Sequence, residues 1–266
     1  ALFNVLVIIG LAASVRKSTV AWQPVVRDAL FYCVSILLLL WVFYDGYISI
    51  SESLIFLGTY LLYIIAVLYW RKWFPYEDDG ADGEERVEDT KHSSIHKMIG
   101  RWLDKCFPSP EHYYYVFLVA VFYIGLLSWV LVESAIGLAH ILNIPEVLIA
   151  LTILAVGTSV PDMIASYQVA KRGKGGMAIS NAIGSNIFDI LVGLGLPFLL
   201  ILLYGGESVY VSTTDLKLSV LFLLGTVIVL LVSLWVRKWS IDWKIGYFFL
   251  FLYFLYFISS ILRTVG

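Results

Sequence analysis

Apolar stretches about as long as a membrane is thick recur from one end of this chain to the other. A helix needs roughly 20 apolar residues to cross the hydrocarbon core. The stretches fall at 1–15, 29–48, 50–70, 113–142, 145–170, 177–204, 216–236 and 243–262. Backbone in lipid must satisfy its own N–H and C=O groups, which leaves helices or a closed barrel. Barrel strands are shorter and alternate apolar with polar residues, so these stretches read as helices. The first is too short to span and reads as a truncated helix. The fourth is long enough that it has to tilt, break or project beyond the lipid. Composition agrees: 14% of residues are charged and 60% hydrophobic, which excludes a soluble enzyme and a disordered chain alike. A net charge of −2 offers nothing to nucleic acid. Cys33 and Cys106 make neither a disulfide framework nor a zinc site. The expected fold class is an all-α membrane protein, a polytopic helical bundle of about eight spans.

Eight spans send alternate connections to opposite sides. One side receives Arg16, Lys17, Arg27, then the seven basic residues between Arg71 and Lys105, then Lys171, Arg172, Lys174, Arg237, Lys238 and Lys244. The other receives only Lys217 and Arg263. A split of 16 against 2 makes the first side cytosolic by the positive-inside rule. It also supports the span count, because a missed helix would scramble the sorting. Three parts follow: residues 1–70, a first transmembrane part; 71–112, a cytosolic linker; and 113–266, a second transmembrane part.

The linker is acidic and Gly-rich from Glu77 to Asp89 and reads as disordered there. Around Ile95, Met98, Ile99, Trp102 and Leu103 its apolar spacing predicts a short helix on the membrane surface. His92 and His96 have a metal-compatible i, i+4 spacing, but no third ligand accompanies them, and a solvated loop is the better reading. The run Lys171-Arg-Gly-Lys-Gly-Gly176 lacks phosphate-loop spacing and reads as a basic turn between helices.

Two features point to transport. Phe188-Asp-Ile-Leu-Val-Gly-Leu-Gly195 echoes Phe3-Asn-Val-Leu-Val-Ile-Ile-Gly10, with Asn4 opposite Asp189. The copies lie in the first and sixth spans, which run in opposite directions, as in an inverted-topology repeat. The second feature is a set of polar residues inside spans. In Ala155-Val-Gly-Thr-Ser-Val-Pro-Asp162, Pro161 cannot donate to the preceding turn, so kinking or unwinding is expected at Gly157–Val160, beside Thr158, Ser159 and Asp162. Ser185 and Asp189 are four apart on one face of the next span. A carboxylate at mid-bilayer costs about 2.5–3.5 kcal/mol and normally marks an ion pathway. Glu133 is a third such candidate, with Trp129 and Ser134 close enough to suggest a structural role as well. Ser180 and Asn181 fit close packing and ion contact equally well. Asp28, Asp45 and Glu52 sit at span edges and are expected in the interface, and Glu207 and Asp215 in solvent. The donors are all hard oxygens, which suit calcium or an alkali ion rather than zinc.

The run Gly157-Thr-Ser-Val-Pro-Asp162, with Ser180-Asn-Ala-Ile-Gly-Ser-Asn-Ile-Phe-Asp189 and its continuation to Gly195, resembles the second alpha repeat of the calcium/cation antiporter superfamily, over 145–203. The likeness is greatest to potassium-dependent sodium/calcium exchangers, and Ala1-Leu-Phe-Asn4 resembles the end of the first alpha repeat. This resemblance implies the third to tenth helices of a ten-helix antiporter fold. It implies transported calcium, sodium and potassium as cargo, with no cofactor. It implies Asp162 as the main acidic calcium ligand, and Thr158, Ser159 and the Ala155 carbonyl completing that half of the site. Ser185 and Asp189 would contribute from the facing helix, Asp189 marking potassium coupling, with Asn4 mirroring it. The first two helices of that fold, with the first acidic motif, are expected in the same longer protein or in a separate chain. A multi-pass protein of the plasma membrane is favoured, an organellar membrane being the alternative. The rival functions are a cation/proton antiporter of the same fold, with Asp162 or Glu133 titrating, and a non-transporting membrane assembly subunit.

Overall fold

The computed structural model describes residues 1–76, 113–142, 155–205, 209–210 and 216–265. Among these, α1 is Asn4–Val15, α2 Trp22–Val42 and α3 Ile50–Trp73. Next come α4, Tyr113–Leu142, and α5, Ala155–Lys171. The chain continues as α6, Gly175–Leu191, α7, Gly195–Leu203, α8, Leu216–Val236, and α9, Trp243–Val265. The architecture is helical as expected. Four of its stretches, Trp22–Val42, Ile50–Trp73, Tyr114–Ile141 and Gly175–Leu203, are long and apolar enough to cross a membrane. The surface helix and histidines of the linker, residues 145–154, Glu207 and Asp215 lie outside the described residues.

The described residues fall into two compact units, Ala1–Gly83 with Ser159–Gly266, and Glu84–Thr158. In the second, α4 buries Ala135 and Ala139 and sets Leu131 against Gly157, where a Cβ would approach Leu131 Cδ2 to 3.1 Å. Glu133 is exposed on α4.

In the first unit, two short antiparallel strand pairs tie the helix connections together. Strands β1, Ser18–Thr19, and β4, Ser240–Ile241, pair between the α1–α2 and α8–α9 connections. Strands β2, Tyr47–Ile48, and β3, Val209–Tyr210, pair between the α2–α3 and α7–α8 connections. Two-residue strands have no sequence signal, so they modify the all-α expectation only locally. They do test the alternation of sides. The β1–β4 pair joins connections carrying Arg16, Lys17, Arg237 and Lys238. The α5–α6 turn meets the same end: a Cβ on Gly175 would strike Ser18 Oγ and Ile241 Cδ1, and Gly173, at φ +81°, faces the Arg16 guanidinium. Connections that the basic residues assign to one side therefore lie at one end of this unit.

Caps explain two helix starts. Ser49 and Glu52 form a reciprocal capping box at α3. Asp242 Oδ1 accepts from the Ile245 N–H at α9, while its other oxygen takes Arg237 Nη1 at 2.8 Å. Asp45 accepts from the Tyr47 N–H in the connecting turn, so Asp45 and Glu52 sit at helix ends as expected.

Three expectations need correction. The span placed at 29–48 is the helix Trp22–Val42, so Arg27 and Asp28 lie in its second turn, buried, rather than at an interfacial edge. The span placed at 177–204 is two helices, broken at 192–194. There the Gly193 N–H donates to the Phe188 carbonyl five residues back, at 3.0 Å, and Pro197 has no N–H for the Gly193 carbonyl. Finally, Gly157–Val160 is helical rather than unwound, with Pro161 inside α5. Proline removes the donor of the Gly157 carbonyl, a loss that membrane helices tolerate where other groups satisfy the freed backbone.

Packing in this unit is a layer of close helix contacts: α2 against α6 and α8, α3 against α7, and α1 against α9. Ile8, Ile9, Tyr32, Ile36, Ile183 and Ile187 fill its centre. Small residues let backbones approach, the usual device where lipid supplies no hydrophobic drive between helices. A Cβ on Gly10 would come within 3.1 Å of the Gly246 carbonyl, and one on Gly195 within 2.9 Å of Phe56 Cβ and 3.4 Å of the Ser53 carbonyl. At Gly246 the approach is closest, since a Cβ would lie 2.5 Å from the Gly10 carbonyl. Backbone cannot yield as a side chain can. Gly246→Ala is therefore expected to cost about 1–3 kcal/mol by overpacking, read as a lower unfolding temperature in detergent. Gly225→Ala, where a Cβ meets nothing within 4 Å, serves as the control and should leave that temperature unchanged or raise it.

Candidate ion-binding site

Helices α5 and α6 form an antiparallel hairpin closed by the basic turn at Gly173, whose N–H donates to the Ala170 carbonyl at 2.9 Å. Spacings of three and four residues put Ser159, Asp162 and Ser166 on one face of α5, and Ala178, Asn181 and Ser185 on one face of α6. The two faces meet in a seam of hydrogen bonds. Ser166 Oγ donates to the Ala178 carbonyl at 3.4 Å. Asn181 Nδ2 donates to Ser166 Oγ at 2.9 Å and to the Asp162 carbonyl at 3.4 Å. At the deep end the Ser185 hydroxyl donates to Asp162 Oδ2.

This seam selects among the sequence candidates. Asp162, Ser185 and Asn181 are brought together, with Asp162 and Ser185 half-buried, Ser159 buried and Asn181 partly facing outward. Asp189 follows one turn beyond Ser185, exposed, and lies close enough to Asp162 for their charges to repel. Asn4 is buried on α1 where that helix packs on α6. Ser180 turns away from the seam and lies against the Asp28 carboxylate of α2. Ala155, Thr158 and Glu133 belong to the other compact unit: Ala155 is the first residue of α5, and Thr158 is exposed on it.

Two residues carry weight that the sequence reading did not give them. Asn186 is fully buried, donating from Nδ2 to the Tyr32 hydroxyl at 3.2 Å and to the Ala1 carbonyl at 3.0 Å. Its Oδ1, like Asn4 Oδ1, is buried and receives no hydrogen bond. A buried amide oxygen without a donor is costly, and a cation is one partner that relieves it. The signal available was its place in the Gly-Ser-Asn run beside Ser185. The other residue is Asp28, fully buried on α2.

Among the described residues no three His, Cys, Asp or Glu side chains cluster. What the described residues offer at the seam is one carboxylate, Asp162, with hydroxyl, amide and backbone oxygens around it. That donor set suits calcium or an alkali ion and is wrong for zinc.

The sodium/calcium exchanger protein family matches residues 112–262 of the chain, more than half its length. The chain belongs to the sodium/calcium exchanger protein family. Sodium/potassium/calcium exchanger 4 of Homo sapiens is 40% identical over 158 residues, covering 58% of this chain and 25% of that protein. Sodium/potassium/calcium exchanger 3 of Rattus norvegicus is 40% identical over 148 residues, 55% of this chain and 24% of that protein. The match thus spans about a quarter of the length of these relatives. In fold, the chain is similar to the sodium–calcium exchanger NCX_Mj soaked with 10 mM Na+ and zero Ca2+, with a TM-score of 0.57 at 21% identity over 97% of this chain and 73% of that one. The exchanger family is one of integral membrane transporters, not enzymes, in keeping with the apolar helices described above.

Proposed function

We propose that this chain forms part of a secondary antiporter that exchanges calcium for sodium, with potassium co-transported, by alternating access. The observation that carries the reading is the Ser185 hydroxyl on the Asp162 carboxylate, with Asp189 one turn away. Asp162 is the main acidic ligand, and Ser159, Thr158, Ser185 and the Ala155 carbonyl are further oxygen donors. Asn4 and Asn186 offer amide oxygens that have no other donor. Asn181 holds the α5–α6 seam, and Glu133, in the other unit, is a further candidate carboxylate. The names of the relatives, sodium/potassium/calcium exchangers, favour potassium as the third ion.

Charge explains the exchange. A lone carboxylate in the bilayer costs about 2.5–3.5 kcal/mol, so the empty site is penalised. One sodium cancels one carboxylate, and calcium, with two charges, draws on a second, so that the loaded form can move. Calcium plus potassium brings three positive charges, and Asp189 helps to balance them.

Alternating access follows from an inverted repeat, which packing supports well beyond the eight-residue echo. Helices α3 and α9 begin from side-chain caps, Ser49 and Asp242. Phe188 meets Tyr60, the eleventh residue of α3, edge-on at 5.6 Å; Phe3 meets Tyr253, the eleventh of α9, edge-on at 5.7 Å. Gly195 faces the carbonyl of the fourth residue of α3, Ser53, and Gly10 that of the fourth of α9, Gly246. Exchanging the halves also exchanges the β1–β4 pair with β3–β2, at opposite ends of the unit. This arrangement suits eight spans of a ten-helix antiporter fold, organised as 1–70, 71–112 and 113–266. By the same symmetry the counterpart of α5 is supplied upstream of α1, in this or another chain. The membrane is the plasma membrane, with the linker 71–112 cytosolic.

Calcium flux into vesicles containing the full-length protein tests the site. Asp162→Asn keeps the volume and removes the charge, and should abolish sodium-driven calcium uptake while the protein still reaches the membrane. Asp189→Asn should retain sodium/calcium exchange but lose its dependence on potassium. Uptake by Asp162→Asn at the parental rate would remove Asp162 from the site, and undiminished potassium dependence would remove Asp189 from coupling. For sidedness, trypsin added outside right-side-out vesicles should spare Arg86 and Lys91 until detergent is present. External cleavage at either would reverse the topology.

A further inference from the structure

The face of α6 turned away from α5 meets a second polar group. Asp28 on α2 is fully buried. Its Oδ1 accepts from Arg27 Nε at 2.8 Å, pairs with Arg27 Nη2 at 2.7 Å, and accepts from the Tyr63 hydroxyl of α3 at 3.2 Å. Its Oδ2 is buried and receives no hydrogen bond, although the Ser180 hydroxyl of α6 lies against the carboxylate. The Tyr63 hydroxyl also rests on α6 at Gly184, where a Cβ would come within 3.3 Å of it. Asp28 and Tyr63 thus touch α6 at Ser180 and Gly184, and the next residue is Ser185, which holds Asp162.

Arg27 and Asp28 are neighbours on one helix, so their pairing joins no two helices; it neutralises a carboxylate that would otherwise not tolerate burial. The mirrored layer indicates that the fold itself does not need the carboxylate. Counted back from their last residues, Val42 and Val236, Asp28 of α2 and Phe222 of α8 stand at the same place, each fourteen residues before the end. Tyr63 is the fourteenth of α3, and the fourteenth of α9 is Tyr256. Phe222 and Tyr256 meet edge-on at 5.6 Å. One half of the layer makes this contact with two rings, and the half that touches α6 makes it with a buried carboxylate. A buried ion pair is weak evidence for stability, and an ionisable group inside a membrane protein usually serves function.

We infer that Asp28, with Tyr63, is a positioning residue for the Asp162 site, fixing the rotation of α6 so that Ser185 and Asn181 face α5. The inference rests on the reading of Asp162 as a cation ligand. The leverage is geometric. A helix with its side chains is roughly 10–12 Å across, so turning it by about 20° moves a side-chain oxygen by nearly 2 Å. That exceeds the range over which a hydrogen bond survives. Rotation of α6 would withdraw Ser185 from Asp162 without separating the helices.

The test reads calcium affinity from the calcium-dependent rise in unfolding temperature of the full-length protein in detergent, which needs no turnover. Tyr63→Phe removes the hydroxyl and keeps the ring. It should weaken calcium about five-fold, the scale of one lost hydrogen bond, while leaving the calcium-free unfolding temperature near the parental one. Arg27→Gln with Asp28→Asn removes the carboxylate without stranding a charge, and should weaken calcium further. In a Ser185→Ala background, Tyr63→Phe should have less than about two-fold effect, because the two act through one contact. Parental affinity in Tyr63→Phe, or the same factor with and without Ser185, would overturn the positioning role. A parent protein whose unfolding calcium does not move would overturn the antiporter reading, and this inference with it.

Discussion

A carboxylate inside a bilayer persists only when something answers its charge, and Asp162 is answered from the facing helix by the Ser185 hydroxyl. Much of the surrounding structure serves that contact. The turn at Gly173 folds α6 back along α5. Asn181 bridges to Ser166 and to the Asp162 carbonyl, so the hairpin is held by polar contacts along a seam that lipid cannot hydrate. In hydrocarbon such hydrogen bonds add only modestly to association, about 0.6 kcal/mol on average. Their value here is direction: they fix which oxygens face the same point.

The remaining helices hold the hairpin by two mirrored arrangements that differ in chemistry. Both use a glycine against a backbone carbonyl and a Phe against a Tyr. They diverge fourteen residues before the ends of α2 and α8, where one half has Asp28 and the other Phe222. This difference lies beside the helix bearing the site, and it is why Asp28 is assigned to positioning rather than to folding.

Much of this was legible in the sequence. The helical, membrane-spanning character and the gathering of several basic connections at one end follow from apolar length and basic-residue sorting, and the residues of the Asp162–Ser185 contact were marked by the family resemblance. The misses have tertiary causes. Arg27 and Asp28 look like a polar span edge because charges ahead of an apolar run usually end a helix in water. Their pairing with each other makes the burial tolerable, and Tyr63, thirty-five residues on, adds a donor that no local pattern announces. The break at 192–194 was hidden because Val192, Gly193 and Leu194 are as apolar as their neighbours, and the widened turn at Gly193 has no composition of its own. At Pro161 the unwinding did not follow, since the helix runs through the proline despite the lost donor and the crowding of its ring against the preceding turn. The repeat was visible at Phe3 and Phe188, but the pairing of Tyr60 with Tyr253 emerges only once helix starts fix the register.

The central claim is that a cation sits against the Asp162 carboxylate in the seam between α5 and α6. Strontium, a calcium substitute with strong anomalous scattering, tests this directly in crystals of the full-length protein. The account predicts an anomalous peak within about 2.3–2.6 Å of an Asp162 carboxylate oxygen, the range for calcium-type ligands, that disappears when sodium replaces strontium. A strontium peak elsewhere in the protein, with Asp162 still bonded only to Ser185, would contradict it.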